Sequence, residues 1–174
     1  SSFFQFVKFC VYISILTPDS TGEFIQEEGS CYAEDIVTGE RIVLYINEEE
    51  RIVIRSVFEE DAFKIAKLQK MNNREKKWTL RMFSKETAKD KYFMIEDLEN
   101  FEKDGTRKVV GFFNILEKDN ADSEIERAEA CIYVKRKENP ILAEILRNRV
   151  AIALDEFCFA LERKIDIAIY RPQK

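Results

Sequence analysis

Apolar and polar positions alternate in several short runs along the chain and switch elsewhere to a spacing of three and four. VYISIL (11–16) and IVLYI (42–46) are rich in β-branched and aromatic residues and read as strands. Asp35, Thr38 and Gly39 supply turn chemistry ahead of the second run, so 29–46 reads as a hairpin. RIVIRSV (51–57) follows, with Ile52, Ile54 and Ser56 on one face and Val53, Arg55 and Val57 on the other. The period then changes. FEEDAFKIAKLQKMN (58–72) places Ala62, Ile65, Ala66 and Leu68 at helical spacing, and Glu59, Glu60 and Asp61 load the first turn. Ser84, Glu86 and Thr87 open a short second helix. YFMIEDLE (92–99) and KVVGFFNILE (108–117), joined through the turn KDG (103–105), form a second antiparallel pair, and ERAEACIYVK (126–135) is the next strand. Asn139 is a good N-cap and Pro140 suits the first helical position, so a long helix runs from Ile141 to about Arg163. KIDIAIY (164–170) closes as an Ile-rich strand.

This order predicts an α/β (α+β) protein with a mixed, mostly antiparallel central sheet and helices on both faces, rather than a bundle or a sandwich. The length of 174 residues suits a single domain spanning 1–174 with a substantial core. With 45% hydrophobic and 35% charged residues, the composition is that of a globular chain. INEEER (46–51) and EKDNADSEIER (117–127) read as a polar linker and an exposed hairpin loop.

Composition removes several chemistries. The chain has no histidine, so Ser-His and Cys-His catalytic schemes are excluded. Cys10, Cys31, Cys131 and Cys158 are scattered in apolar stretches with no CxxC pair, which argues against a metal site and for thiols buried in a reducing cytoplasm. A net charge of −5 and a pI of about 5.1 argue against nucleic acid as a partner. No apolar run approaches the about 20 residues that cross a bilayer. Phe3 to Leu16 is interrupted by Gln5 and Lys8 and lacks a basic leader and a cleavage site, so it is not read as a signal peptide.

One stretch has the layout of a phosphate site. In AEACIYVKRKENPILAE (128–144) a strand runs into three basic residues and then a helix start, but without the glycines that let backbone N–H groups close around an anion. Taken with IVIRSVFEEDAFKIAKLQ (52–69), SKETAKDKYFMIEDLENFEKDGTRKVVGFFNILE (84–117), the helix 141–163 and the strand 164–170, this part of the chain resembles the GCN5-related N-acetyltransferase superfamily, as a divergent member. The family has a helix, two strands joined by a turn with a "vvGf" in the second, and a central strand that carries the acyl group and pantetheine along its backbone. ERAEACIYV (126–134) is similar to that strand. The resemblance implies an acyl-CoA N-acyltransferase-like fold. It also implies transfer of an acetyl group from acetyl-CoA, as donor substrate, to an amine of a small-molecule or peptide acceptor.

The residues implied follow the alignment. Glu129 is the candidate base, with Glu96 and Asp97 as weaker candidates; a strand carboxylate paired with a nearby cation is the competing use of Glu129. Cys131, Ile132, Tyr133 and Val134 would lie along the acyl and pantetheine arm, with the amides of Ala130 to Val134 polarising the thioester. Lys135, Arg136, Lys137 and Asn139 would meet the pyrophosphate. Trp78, Arg81 and Phe83, in the basic aromatic stretch 74–85, would contact the acceptor; the same aromatics serve equally to seal the sheet. No tyrosine falls where a general acid is wanted, and Tyr12, Tyr32 and Tyr45 are assigned to packing.

Two departures qualify the resemblance. The family's Arg/Gln-x-x-Gly-x-Gly/Ala turn is replaced by KRKENPILAE, and Pro140 lacks a donor. Where the family continues with a helix and two strands, this chain has only 171–174, while GEFIQEEGSCYAEDIVTGERIVLYI (22–46) resembles that tail. A circular permutation with 1–46 as tail and 51–174 as body, the end of a preceding tandem copy, and an unrelated strand pair all fit this pattern. The alternative function is a non-catalytic domain of the same fold that binds a ligand or a protein. A third is a homodimeric module, if Ile165, Ile167 and Ile169 form an uncovered edge strand.

Overall fold

The fold is described from a computed structural model, which covers residues 24–26, 30–68, 91–116, 122–133 and 139–170. In chain order the elements are β1 (Phe24–Gln26), β2 (Tyr32–Asp35), β3 (Arg41–Asn47), β4 (Ile52–Ser56), α1 (Asp61–Leu68), β5 (Tyr92–Phe101), β6 (Arg107–Ile115), β7 (Glu126–Ile132), α2 (Pro140–Ala160) and β8 (Ile165–Tyr170). They make an α+β fold: one eight-stranded sheet in the order β1 to β8, with two helices among the described residues. All neighbouring strands are antiparallel except β7 and β8, which run parallel across the α2 crossover. No helix among the described residues is long and apolar enough to cross a membrane.

Local chemistry sets the turns. Asp35 accepts hydrogen bonds from the N–H groups of Val37 (2.8 Å) and Thr38 (2.9 Å), and Gly39 supplies a φ of 69° that closes the β2–β3 hairpin. Asn47 accepts from the Glu50 N–H (2.9 Å) where β3 turns into β4. Segment 24–47 therefore joins the sheet through β4, at the edge opposite β8.

The principal core places α2 against the sheet. Phe157 meets Phe93 edge-on (centroids 5.4 Å apart), Phe113 (6.1 Å) and Tyr45 (5.7 Å). Around them pack Ile52, Ile54, Ile95, Ala128, Ala130, Ile132, Val150 and Leu154. α1 packs in a separate cluster: its Ala62 and Ile65 meet Val57 and Met94, with Tyr92, Val109 and Phe112 beside them. β4 is buried along its whole length, as befits an interior strand. Gly111 marks a close approach of β6 to β7: a Cβ there would sit 2.7 Å from the Cys131 carbonyl oxygen.

Element limits differ from the sequence reading for local reasons. α1 begins at Asp61 rather than residue 58, because Phe58 and Glu59 form the preceding turn, in which the Phe58 N–H donates to the Asp61 carboxylate (2.7 Å). α2 ends at Ala160, where Glu162 takes a left-handed φ of 55° and the Arg163 N–H donates to Cys158 O (3.3 Å). β7 stops at Ile132 rather than at residue 135. The strand expected over 11–16, the helix start at 84–87 and the basic stretch 74–85 lie outside the described residues.

Candidate functional site

The site proposed from sequence lies where β7 ends and α2 begins. Alternation along β7 turns Ala128, Ala130 and Ile132 into the core and leaves Glu129 and Cys131 together on the other face. Glu129 is half-buried, opposite Asn114 on β6 and Ala168 on β8; Cys131 stands opposite Phe112 and Tyr170. Burial first, and then the Glu129 charge, push the Cys131 thiol up from its ordinary value.

The backbone of β7 is largely committed. It pairs with β6 from Ala128 to Ile132 and with β8 from Glu126 to Cys131. The Ala130 and Cys131 amides therefore serve the sheet, and a ligand strand could pair with β7 only from Ile132 onward. Ile132 points into the core at 1% exposure, and the Tyr133 N–H donates to Val110 O (2.7 Å).

Asn139 acts as the N-cap. Its side-chain oxygen accepts from the N–H groups of Ile141 (3.0 Å) and Leu142 (3.4 Å), and its carbonyl accepts from Ala143 (3.2 Å). Pro140 has no N–H. Every donor of the first turn is thus spent inside the helix itself. Val134, Lys135, Arg136 and Lys137, and the acceptor candidates Trp78, Arg81 and Phe83, lie outside the described residues.

The weaker candidates have other duties. Glu96 is buried and holds Arg55 through Nε (2.9 Å). Asp97 accepts from the N–H groups of Glu99 (2.9 Å) and Asn100 (3.1 Å) and from the Asn100 side chain (2.9 Å). Burial raises the Asp97 carboxyl, but these bonds more than offset it and hold the group below its ordinary range. A carboxylate so stabilised is a poor base. Tyr45 donates to Glu156 (3.4 Å) beside Phe157, and the Arg41 guanidinium lies 4.0 Å over the Tyr32 ring, so both tyrosines are engaged in packing. Tyr12 lies outside the described residues.

Two features were not found from sequence. The first is a buried ion-pair cluster. Arg55 is held by Asp61 through Nη1 (2.7 Å) and Nη2 (2.9 Å), by Glu96, and by the Ser56 carbonyl (3.0 Å). Sequence placed Arg55 only on the strand face of Val53 and Val57, and its partner Glu96 lies 41 residues on, in the neighbouring strand β5. The second is a cleft of about 560 Å³ at the β1–β2 edge, lined by residues that include Ser30, Tyr32, Glu34 and Arg41, well apart in the sheet order from β7. No group of three or more potential metal ligands occurs among the described residues. Comparison with family models, with curated proteins and with solved structures finds no match.

Proposed function

We propose that this chain is a non-catalytic domain of the acyl-CoA N-acyltransferase-like fold, with helices on both faces of its sheet, retained to bind a ligand or a protein rather than to transfer acetyl groups. The order of elements from β4 to β8, with a parallel β7–α2–β8 crossover, supports the fold reading. α1 and α2 pack in different clusters, which neighbouring β5 residues Met94 and Phe93 join separately. The observation that carries the functional reading is the Asn139 cap. A pyrophosphate needs free amides at the α2 N-terminus; among the described residues Asn139 takes those of Ile141, Leu142 and Ala143, and Pro140 has none to give.

Calorimetric titration with acetyl-CoA, with desulfo and dephospho analogues as controls, tests this reading. The expected result is no binding up to millimolar ligand. Micromolar binding that weakens when Lys135, Arg136 and Lys137 are neutralised would overturn it.

A second reading, an acetyl-CoA-dependent N-acetyltransferase, draws on the half-buried Glu129 beside Cys131. There the acceptor amine would attack the thioester carbonyl, Glu129 or a water would take the amine proton, and the coenzyme thiolate would leave. Under that reading Glu129→Gln lowers the acetylation rate by roughly 10²–10⁴-fold. If a panel of amines gives no rate for that variant to lower, the second reading fails.

A further inference from the structure

α2 carries apolar side chains on two opposite sides. Inward, Ala143, Val150, Ala153, Leu154, Phe157 and Cys158 are buried. Outward, Ile141 is 71% exposed, Ile145 47%, Ile152 45% and Phe159 87%. With exposed Asn148 and Asp155 between them, these residues follow the alternating four-and-three spacing of a helix–helix seam. A helix lying on a sheet needs one apolar stripe; a second stripe calls for a second cover.

We propose that the cover is a second copy of this chain, α2 against α2, antiparallel about a twofold axis at Ile152. In that register Ile152 meets Ile152 of the second copy, Ile145 meets Phe159, and Asn148 comes within one residue of level with Asp155. The parallel alternative would stack Asp155 on Asp155 and bring like charges together. The antiparallel arrangement keeps the twofold symmetry and avoids that repulsion.

The flank of the seam is also prepared for this. Arg149 donates from Nε (2.8 Å) and Nη2 to the Glu50 carbonyl, which pins its guanidinium on the side of α2 that faces the β3–β4 turn. Glu156 is held on that same side, by the Asn47 side chain and by Tyr45. A twofold axis perpendicular to the helices superposes like flanks, so Arg149 of each copy arrives beside Glu156 of the other. β3 and the turn after it thus fix both members of an intermolecular ion pair before the copies meet, which lowers the ordering cost of association. This inference uses α2 and its β3 neighbours, none of them at the β7–α2 site, and stands whichever way the acetyl-CoA titration falls.

Sedimentation velocity of the full chain over a concentration series tests the proposal. A dimer is expected, and Ile152→Asp is expected to weaken it by roughly tenfold or more without changing the circular dichroism spectrum. Arg149→Glu should weaken it less, and adding Glu156→Arg to that variant should restore association, a rescue that a folding defect would not produce. A wild-type chain that is monomeric at every concentration overturns the proposal and leaves the stripe to residues 1–23 or to a different protein. A dimer that neither Ile152→Asp nor Arg149→Glu disturbs overturns it as well, and moves the contact to another surface such as the β8 edge.

Discussion

Arg55 keeps a full charge in the interior, at 5% exposure, and Asp61 and Glu96 make that tolerable. Burial alone would lower the Arg55 pKa; the Glu96 and Asp61 charges outweigh it and leave the guanidinium raised above its ordinary value. Replacing it strands two buried carboxylates, so Arg55→Met is expected to cost about 3–5 kcal/mol at neutral pH. The sign of the pH dependence follows from Asp61. Burial pushes its carboxyl up, Arg55 pulls it down further, and the net position is below the ordinary 3.8. A depressed carboxyl contributes its stability above the unfolded value and loses it as pH falls through the folded one. Urea unfolding of wild type and variant should therefore show a gap at pH 7 that narrows below about pH 4. Equal midpoints at pH 7 would show that the cluster contributes nothing. The Asn139 cap and the Asp35 turn were legible in sequence because their partners lie two or three residues away. Arg55 was not, because Glu96 reaches it only after β4 and β5 have paired.

Among the elements, β6 and β7 approach each other closely at Gly111, the glycine of the "vvGf" stretch. The contact there is with backbone, which cannot swing aside, so Gly111→Ala should destabilise the fold by about 1–3 kcal/mol. A thermal melt would measure it, and an unchanged melting temperature would mean the strands part at little cost. The hairpins, α1 and α2 could be anticipated because period and turn residues are local signals. The start of α2 was equally legible at Asn139 and Pro140, but the helix stop at Glu162 was not: a left-handed glutamate carries no sequence signature of the kind a glycine would. The candidate site suffered most from this limit. Sequence placed Glu129 and Cys131 on one strand, yet which β7 amides stay unpaired depends on how far β8 runs beside it.

At the scale of the whole molecule, every strand among the described residues lies beside its neighbour in sequence, and β1 and β8 stand at opposite ends of that order. A polar linker was expected at 46–51; it is the tight turn that carries β3 into β4 and so binds segment 24–47 to the rest. Among the described strands, sequential order leaves two pairings that require a long connection to close: Ile52 with Asp97 between β4 and β5, and Glu126 with Ile165 between β7 and β8. The chain is accordingly divided into a β1–β4 meander, a β5–β7 meander and a final strand. Closing long connections is slow relative to zipping a hairpin, so each meander can form before the seam between them does. In native-state hydrogen exchange, amides along the β4–β5 seam should then open only with global unfolding, while those of β1 and β8 exchange through local fraying. Uniform protection across all eight strands would instead mean that the sheet opens as one cooperative unit, with the seam no later than the hairpins it joins.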